Sequence, residues 1–420
     1  MGLSVKVGSF TLPSVLKGTV SVSIGFDPKV IFLWSTGRTE TADAVGRATA
    51  LASFGWGLGT ALNNRLSVGF ASADAAATSD TASRRLATAC LVEINPPDAG
   101  LNGSLDVYED FGTTANTAVF VASVAFAANK QAFYLALGGT DLTVQSGTFI
   151  EGRTTEVPAN FQADAIMLIS GSALTDGAIS VGWATGPTAA ENFCWAGASD
   201  DGNMTSNVSR RYCCSGESVA LFEAANPPVT NARGYVSAIS STGFTMTWNE
   251  TAATGRSVYW VALKGIQVAA GSLTTLTNAT DNIDVTGLGC DPVAVMFMSA
   301  CTSESAADTP ATGLEMSIGA TTGTAECRVA SARDENGAGK SICSTAVGYE
   351  DGTDDEVYLN ITSTAVEGAM DFVSFLTGGF RCKMSDADPS AAFVAYIAFG
   401  PAAVQGSTNT NQLMLVGSGT

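Results

Sequence analysis

The chain has 420 residues, 46% apolar and only 14% charged, with a net charge of −19 and no histidine. Without imidazole there is no Ser-His-Asp or Cys-His relay and no His-containing zinc site. The acidic balance opposes a surface built for nucleic-acid phosphates or anionic lipid, and so apolar a chain is not expected to be disordered.

From the N-terminus, Met1 to Phe10 has no basic region followed by a continuous apolar stretch, so no signal peptide is expected. Lys6 stands where a myristoylation motif needs a small hydroxyl residue. Gly8-Ser9-Phe10 opens a short strand, and Gly25 to Ser35 is a turn leading into the apolar run Val30 to Trp34. Such a run fits a central strand covered on both sides. The Ala-rich piece Asp43 to Ser53 is the best helix candidate, and Leu66-Ser67-Val68-Gly69-Phe70 reads as a further strand. After Ser83-Arg84-Arg85 and Asn95-Pro96-Pro97, Phe133 to Gly138 forms an aromatic strand ending in glycine.

The same order then returns. Gly147-Thr148-Phe149, Asn160 to Ser170, Ile179 to Trp183 and Tyr259 to Gly265 match those anchors. Ser209-Arg210-Arg211 and Asn226-Pro227-Pro228 follow as well. A third series, without the arginine and proline strings, runs through Gly271-Ser272-Leu273, Gly289 to Ser299, Met316 to Ala320 and Tyr396 to Gly400. These anchors predict three units at 1–142, 143–267 and 268–402, with a tail at 403–420, and no Pro- or Ser-rich linker between them. Runs of four to eight residues rich in Val, Ile, Phe, Trp and Thr alternate with Gly, Asn, Asp and Ser clusters. Strict alternation puts Phe244, Met246 and Trp248 on one face. The expected fold is all-β: three tandem antiparallel β-sandwiches of jelly-roll or Ig-like layout. The most apolar window, Ala391 to Val404, is too short to span a bilayer.

Few residues invite chemistry. Asp334 to Ser341 ends in the Gly-Lys-Ser of a phosphate loop, but Asp334 stands where that motif needs glycine, so a solvated hairpin loop is the expectation. Asp351 to Glu356 and Asp200-Asp201-Gly202 offer oxygen ligands without EF-hand spacing and read as polar turns. Asp27 and Asp291, each before proline or followed by it in matched turns, read as turn residues rather than a glycosidase pair. Arg84-Arg85 and Arg210-Arg211 suggest either intra-domain ion pairs or contacts to other subunits or an acidic ligand, the former expected. Of the tryptophans, Trp34, Trp183 and Trp260 fall in the matched strands, which favours packing over a sugar-stacking platform. Asn-x-Ser/Thr strings such as Asn203-Met204-Thr205 and Asn360-Ile361-Thr362 carry no weight without a secretion signal. Nine cysteines with no C-x-x-C, among them adjacent Cys213 and Cys214, are expected as buried reduced thiols. No catalytic, cofactor-binding or metal-ligating residues are expected, and no cofactor.

The strings Gly25 to Phe32, Leu66 to Phe70 and Tyr134-Leu135-Ala136-Leu137-Gly138-Gly139, following Gly8-Ser9-Phe10, resemble a repeat found in uncharacterised virion proteins of tailed bacteriophages. Ala163 replaces the proline of that family's turn in the second unit, and Ala320 replaces an aromatic in the third. The resemblance implies a virion component without enzymatic activity: a head decoration, spike or tail-associated fibre, made in the host cytoplasm. Its expected partners are other virion proteins and copies of itself in a symmetric homo-oligomer. Neither nucleic acid nor membrane insertion is expected. The alternative is an adhesin that recognises a host surface glycan; a polysaccharide depolymerase ranks third.

Overall fold

A computed structural model describes residues 2–59, 64–96, 98–153, 156–171, 177–202, 209–223, 227–251, 255–305, 309–335, 342–349 and 355–402. Nearly all its regular structure is antiparallel β, arranged in three large and three small sheets.

The first large sheet runs Ser4–Thr11, Gln131–Gly138, Pro28–Ser35, Ala50–Leu58, Arg65–Ser72 and Thr81–Leu86 in spatial order. The second runs Thr143–Ile150, Ser257–Lys264, Ala165–Gly171, Gly177–Ala184, Asn192–Ser199 and Ser209–Ser215. The third runs Ile266–Thr274, Phe393–Pro401, Ala294–Ser299, Leu314–Thr321, Cys327–Glu335 and Ile342–Tyr349. Each large sheet packs against its own four-stranded sheet, so three sandwiches result.

The continuous apolar runs explain the layering. In Pro28–Ser35, Val30, Phe32 and Trp34 point one way, while Ile31 and Leu33 point into the sandwich. In Ala294–Ser299, Ala294, Met296 and Met298 take the first direction and Val295 and Phe297 the second. Successive side chains of a strand alternate in direction, so a strand apolar at every position can serve two cores. The outward set does not meet solvent. Val30, Phe32, Trp34, Met167, Ile169, Met296 and Met298 join one cluster to which all three large sheets contribute. Phe244 and Met246 lie buried in the second sandwich with Trp248 packed beside them, as their alternation predicts.

The sandwiches also exchange strands. Ala44–Arg47, which precedes the fourth strand of the first large sheet, pairs with Ile342–Tyr349 at the edge of the third. Ala311–Thr312 pairs with Ser209–Ser215 at the edge of the second. The helix expected over Asp43 to Ser53 is therefore wrong: that segment forms Ala44–Arg47 and the start of Ala50–Leu58. Helix propensity in a short Ala-rich piece is worth tenths of a kcal/mol per residue, less than completing a neighbouring sheet and burying Ala50, Leu51 and Ala52. The expected boundary at 267/268 falls inside the strand Ile266–Thr274.

One anchor also moves. Ile179 to Trp183 and Met316 to Ala320 occupy the fourth strand of their sheets, whereas Leu66 to Phe70 occupies the fifth of its own. The first-sheet counterpart by strand position is Ser53-Phe54-Gly55-Trp56. Adjacent strands here share a Ser-x-Gly-aromatic pattern, and only the pairing tells them apart.

Candidate functional site

Three small contacts recur in each sandwich, the first two between its layers and the third within the large sheet. The hydroxyls of Ser53, Ser180 and Ser317 accept from the backbone N–H of Val92, Ala220 and Leu359, at 3.1, 3.2 and 3.0 Å. Two residues on, Gly55, Gly182 and Gly319 bring the large sheet against the carbonyls of Cys90, Ser218 and Val357, where a Cβ would lie within 2.4 Å of the oxygen. Ser35, Ser170 and Ser299 donate to the carbonyls of Gln131, Ser257 and Phe393 at 2.7, 2.9 and 2.7 Å. The recurrent geometry is structural: the serines satisfy backbone N–H and carbonyl groups, and the glycines let the layers approach closely.

Asp27 and Asp291 accept from the backbone N–H of Asn116 and Gly378, both at 2.7 Å, as turn residues. Asp201 accepts from the N–H of Thr81 at 2.8 Å, and the Ser79 hydroxyl donates to the Asp200 carbonyl at 2.5 Å. The turn at Asp200-Asp201-Gly202 thus docks the second sandwich onto the first. Residues 351–354 of the other acidic string, and 203–205, lie outside the described residues, as do Pro97 and Asn226 of the proline strings and the 403–420 tail.

One arginine of each pair, Arg85 and Arg211, reaches across a seam. Arg84 Nη1 donates to the Ala99 carbonyl at 2.9 Å within its own sandwich, but Arg85 Nη1 donates to Gly171 of the second, at 3.1 Å. Arg210 Nη1 donates to the Ser209 carbonyl at 2.9 Å. Arg211 Nη1 reaches Glu315 Oε2 of the third sandwich at 2.6 Å. The Arg211 ion pair therefore links two sandwiches of one chain instead of closing within a domain. Burial pushes the Glu315 carboxyl up from its ordinary range, opposed by Arg211 and Arg333. Its other oxygen accepts from the Ile361 N–H at 3.0 Å.

A polar cluster sits where the three sandwiches meet. Ser72 Oγ of the first donates to Asp334 Oδ2 of the third at 3.0 Å, and Ser209 Oγ of the second donates to the Asp334 carbonyl at 3.2 Å. Cys343 Sγ lies 3.6 Å from Asp334 Oδ1. All four residues are buried. Desolvation pushes the Asp334 carboxyl up to about 6. Asp334 and Glu335 end a strand, so the string that resembled a phosphate loop begins inside the protein; residues 336–341 lie outside the described residues.

The nine cysteines are free and buried. Cys194 and Cys214 face each other across adjacent strands with sulfurs 3.8 Å apart, and with a Glu217 oxygen their ligand atoms all fall within 4.8 Å. Sequence spacing gave no hint of this trio, because only strand register makes Cys194 and Cys214 neighbours. Glu217 is already held by Arg233 at 2.9 Å, Tyr212 at 3.1 Å and Asn249 at 3.3 Å. Burial, followed by the hydrogen bond with Cys214, pushes the Cys194 thiol well up. These residues fit a satisfied core cluster better than a metal centre.

Trp34, Trp56, Trp183, Trp195 and Trp260 are all buried, which removes them as a stacking platform. Trp195 Nε1 donates to the Glu315 carbonyl at 2.9 Å, another bond between the second and third sandwiches.

Fold and contacts define an all-β protein of packed antiparallel sandwiches. No protein-family model, curated protein or solved structure matches the chain.

Proposed function

We propose that this chain is a non-enzymatic structural component of a virion, displayed as a head decoration or spike or built into a tail-associated fibre. The observation that carries the reading is the shared core: three sandwiches bury the outer faces of their large sheets against one another and exchange edge strands. That construction makes one stiff body, in which polar groups at the seams are spent on joining sandwiches. A particle component must persist outside the cell and assemble by surface contact, and such a body suits that task. The likeness of Gly25 to Phe32 and Tyr134 to Gly139 to a phage virion repeat supports the same reading. Its partners are then other virion proteins and further copies of itself.

The test is immunogold labelling of particles purified from the source, with antibody raised against the full chain. Labelling at a fixed place on head or tail is the expected result. A chain absent from purified particles, yet abundant in the lysate, overturns the proposal.

A further inference from the structure

Strand register brings two thiols face to face in the second large sheet. Cys194 of Asn192–Ser199 lies directly opposite Cys214 of Ser209–Ser215, and their sulfurs are 3.8 Å apart. The Gly216 N–H donates to the Asn192 carbonyl, whereas the N–H groups of Cys213 and Ser215 turn away from that strand to Ser305 and Glu304. Hydrogen-bonded and non-hydrogen-bonded pairs alternate along an antiparallel ladder, so Cys194 and Cys214 are a hydrogen-bonded pair, with Cα atoms about 5.5 Å apart. Disulfides most often join Cα atoms ~5.5–6 Å apart, so the backbone spacing already suits a bridge.

Three further features distinguish this pair. First, neighbouring Cys213 points the opposite way, into the core shared by the three large sheets, so register selects Cys214 as the partner of Cys194. Second, the Cys214 thiol donates to Glu217 Oε2 at 3.7 Å, which puts a proton acceptor beside the sulfur. Arg233 and Asn249 hold that carboxylate in place through its other oxygen. Third, Ser209–Ser215 is thinly covered on its outer side. Its partner there is the two-residue strand Ala311–Thr312, opposite Arg210 and Arg211 alone. Beside Cys213 and Ser215 the contacts come from Glu304 and Ser305, outside any strand. A strand held this way opens locally at lower cost than a central one, and peroxide is little larger than water.

We propose that Cys194 and Cys214 are an oxidation site, closed by hydrogen peroxide into a cross-strand disulfide that pins the Ser209–Ser215 strand to its sheet. The Cys214 thiol gives its proton to Glu217, and the thiolate attacks a peroxide oxygen. The O–O bond breaks, leaving a sulfenic acid on Cys214 and a hydroxide that recovers the proton as water. The Cys194 sulfur then attacks the Cys214 sulfur and the S–O bond breaks, the hydroxide leaving with the Cys194 proton as a second water. Two thiols are thereby oxidised to one disulfide while the peroxide is reduced to two waters. The pinned strand carries Arg211, whose bond to Glu315 ties the second sandwich to the third, so oxidation reinforces that seam. The site does not rest on the virion reading.

The experiment exposes the full chain, purified with its thiols reduced, to hydrogen peroxide and then counts thiols by alkylation in denaturant with peptide mass mapping. The nine free thiols are expected to fall by two, with Cys194 and Cys214 in one cross-linked peptide that dithiothreitol releases. Cys213→Ser is expected to lose the same two thiols, whereas Cys214→Ser keeps all that it has. Cys194→Ala supplies the same control where Cys214→Ser fails to fold. In urea, the bridged parent is expected to show an unfolding equilibrium constant about a hundredfold smaller, the effect of closing a loop of about 20 residues. Nine thiols after peroxide, a sulfinic acid in place of the bridge, or a bridge between other cysteines overturns the proposal. An unchanged urea midpoint in the bridged chain overturns it too. None of these outcomes bears on whether antibody labels the particle.

Discussion

Arg211 places its Nη1 2.6 Å from Oε2 of Glu315 and so ties the Ser209–Ser215 strand of the second sandwich to a carboxylate buried in the third. The Glu315 side chain is 1% exposed and the Arg211 side chain 17%. A charge this deep is tolerable only while it is paired. Removing the arginine leaves the buried carboxylate only the more distant charge of Arg333 and the Ile361 N–H, and breaking a buried pair ordinarily costs about 3–5 kcal/mol. Arg211→Met is therefore expected to lower the unfolding free energy by about 3 kcal/mol in urea titrations. Arg381→Met, which breaks the exposed bidentate pair with Asp284, should leave the midpoint almost unchanged. Equal losses for the two variants would show that the seam pair is no more than a surface contact.

Stability should fall as pH rises from about 4 to about 6. Burial raises the Asp334 carboxyl from 3.8 to about 6, so across that window the unfolded chain has released the proton while the folded chain keeps it. The folded state then binds more protons, and its stability declines with pH until the buried group ionises, by about 3 kcal/mol for a shift of this size. Burial shifts Glu93 and Glu315 in the same direction. Asp334→Asn keeps an acceptor for Ser72 and removes the ionisation. Its melting temperature is expected to exceed that of the parent at pH 7.5 and to vary less between pH 4 and 6. A variant less stable than the parent at both ends of that range contradicts the assignment.

With residues of all three large sheets in one core, the three sandwiches are expected to unfold as one cooperative unit. Met296 is 1% exposed and belongs to the cluster containing Val30 and Met167. Met296→Ala is expected to cost about 2–5 kcal/mol. It should also reduce amide-exchange protection in Pro28–Ser35 and Ala165–Gly171, which lie in other sandwiches. Loss of protection confined to Ala294–Ser299 and its neighbours would mean that the sandwiches unfold separately.

All nine cysteines are buried and free. Ellman's reagent should therefore report almost no accessible thiol in the native chain, and all nine after denaturation without reductant. Burial pushes the thiols of Cys90, Cys301 and Cys382 up as well, so raising the pH to 8.5 should not make the native protein reactive. Fewer than nine thiols in denaturant would establish a disulfide.

Much of the β architecture was legible because strand signals are local. Alternation in Gly243 to Trp248 and the uninterrupted apolar runs at Val30 and Val293 each report how many faces of a strand are covered. Those runs say that a second core exists, but not what closes it. At Asp43 to Ser53 composition favours a helix, and a foreign sheet edge imposes a strand. Similarly, Leu66 to Phe70 resembles Ile179 to Trp183 in residues, and hydrogen bonding assigns that role to Ser53 to Trp56. The space lined by Thr36 and Thr345 joins positions 309 residues apart, which no local pattern can report.

By itself, the sequence of 420 residues determined an all-β chain without imidazole chemistry, its net charge of −19 and the placement of its apolar runs, because these follow from residue types and a period of two. Tertiary structure decided the rest: which strand completes which sheet, that the three large sheets share a core, that Arg211 meets Glu315, and that Asp334 lies where all three sandwiches converge. The physical reason is range. Alternation is written in neighbouring residues, whereas desolvation, ion pairing and cavity shape depend on groups that only the folded chain brings within a few ångströms.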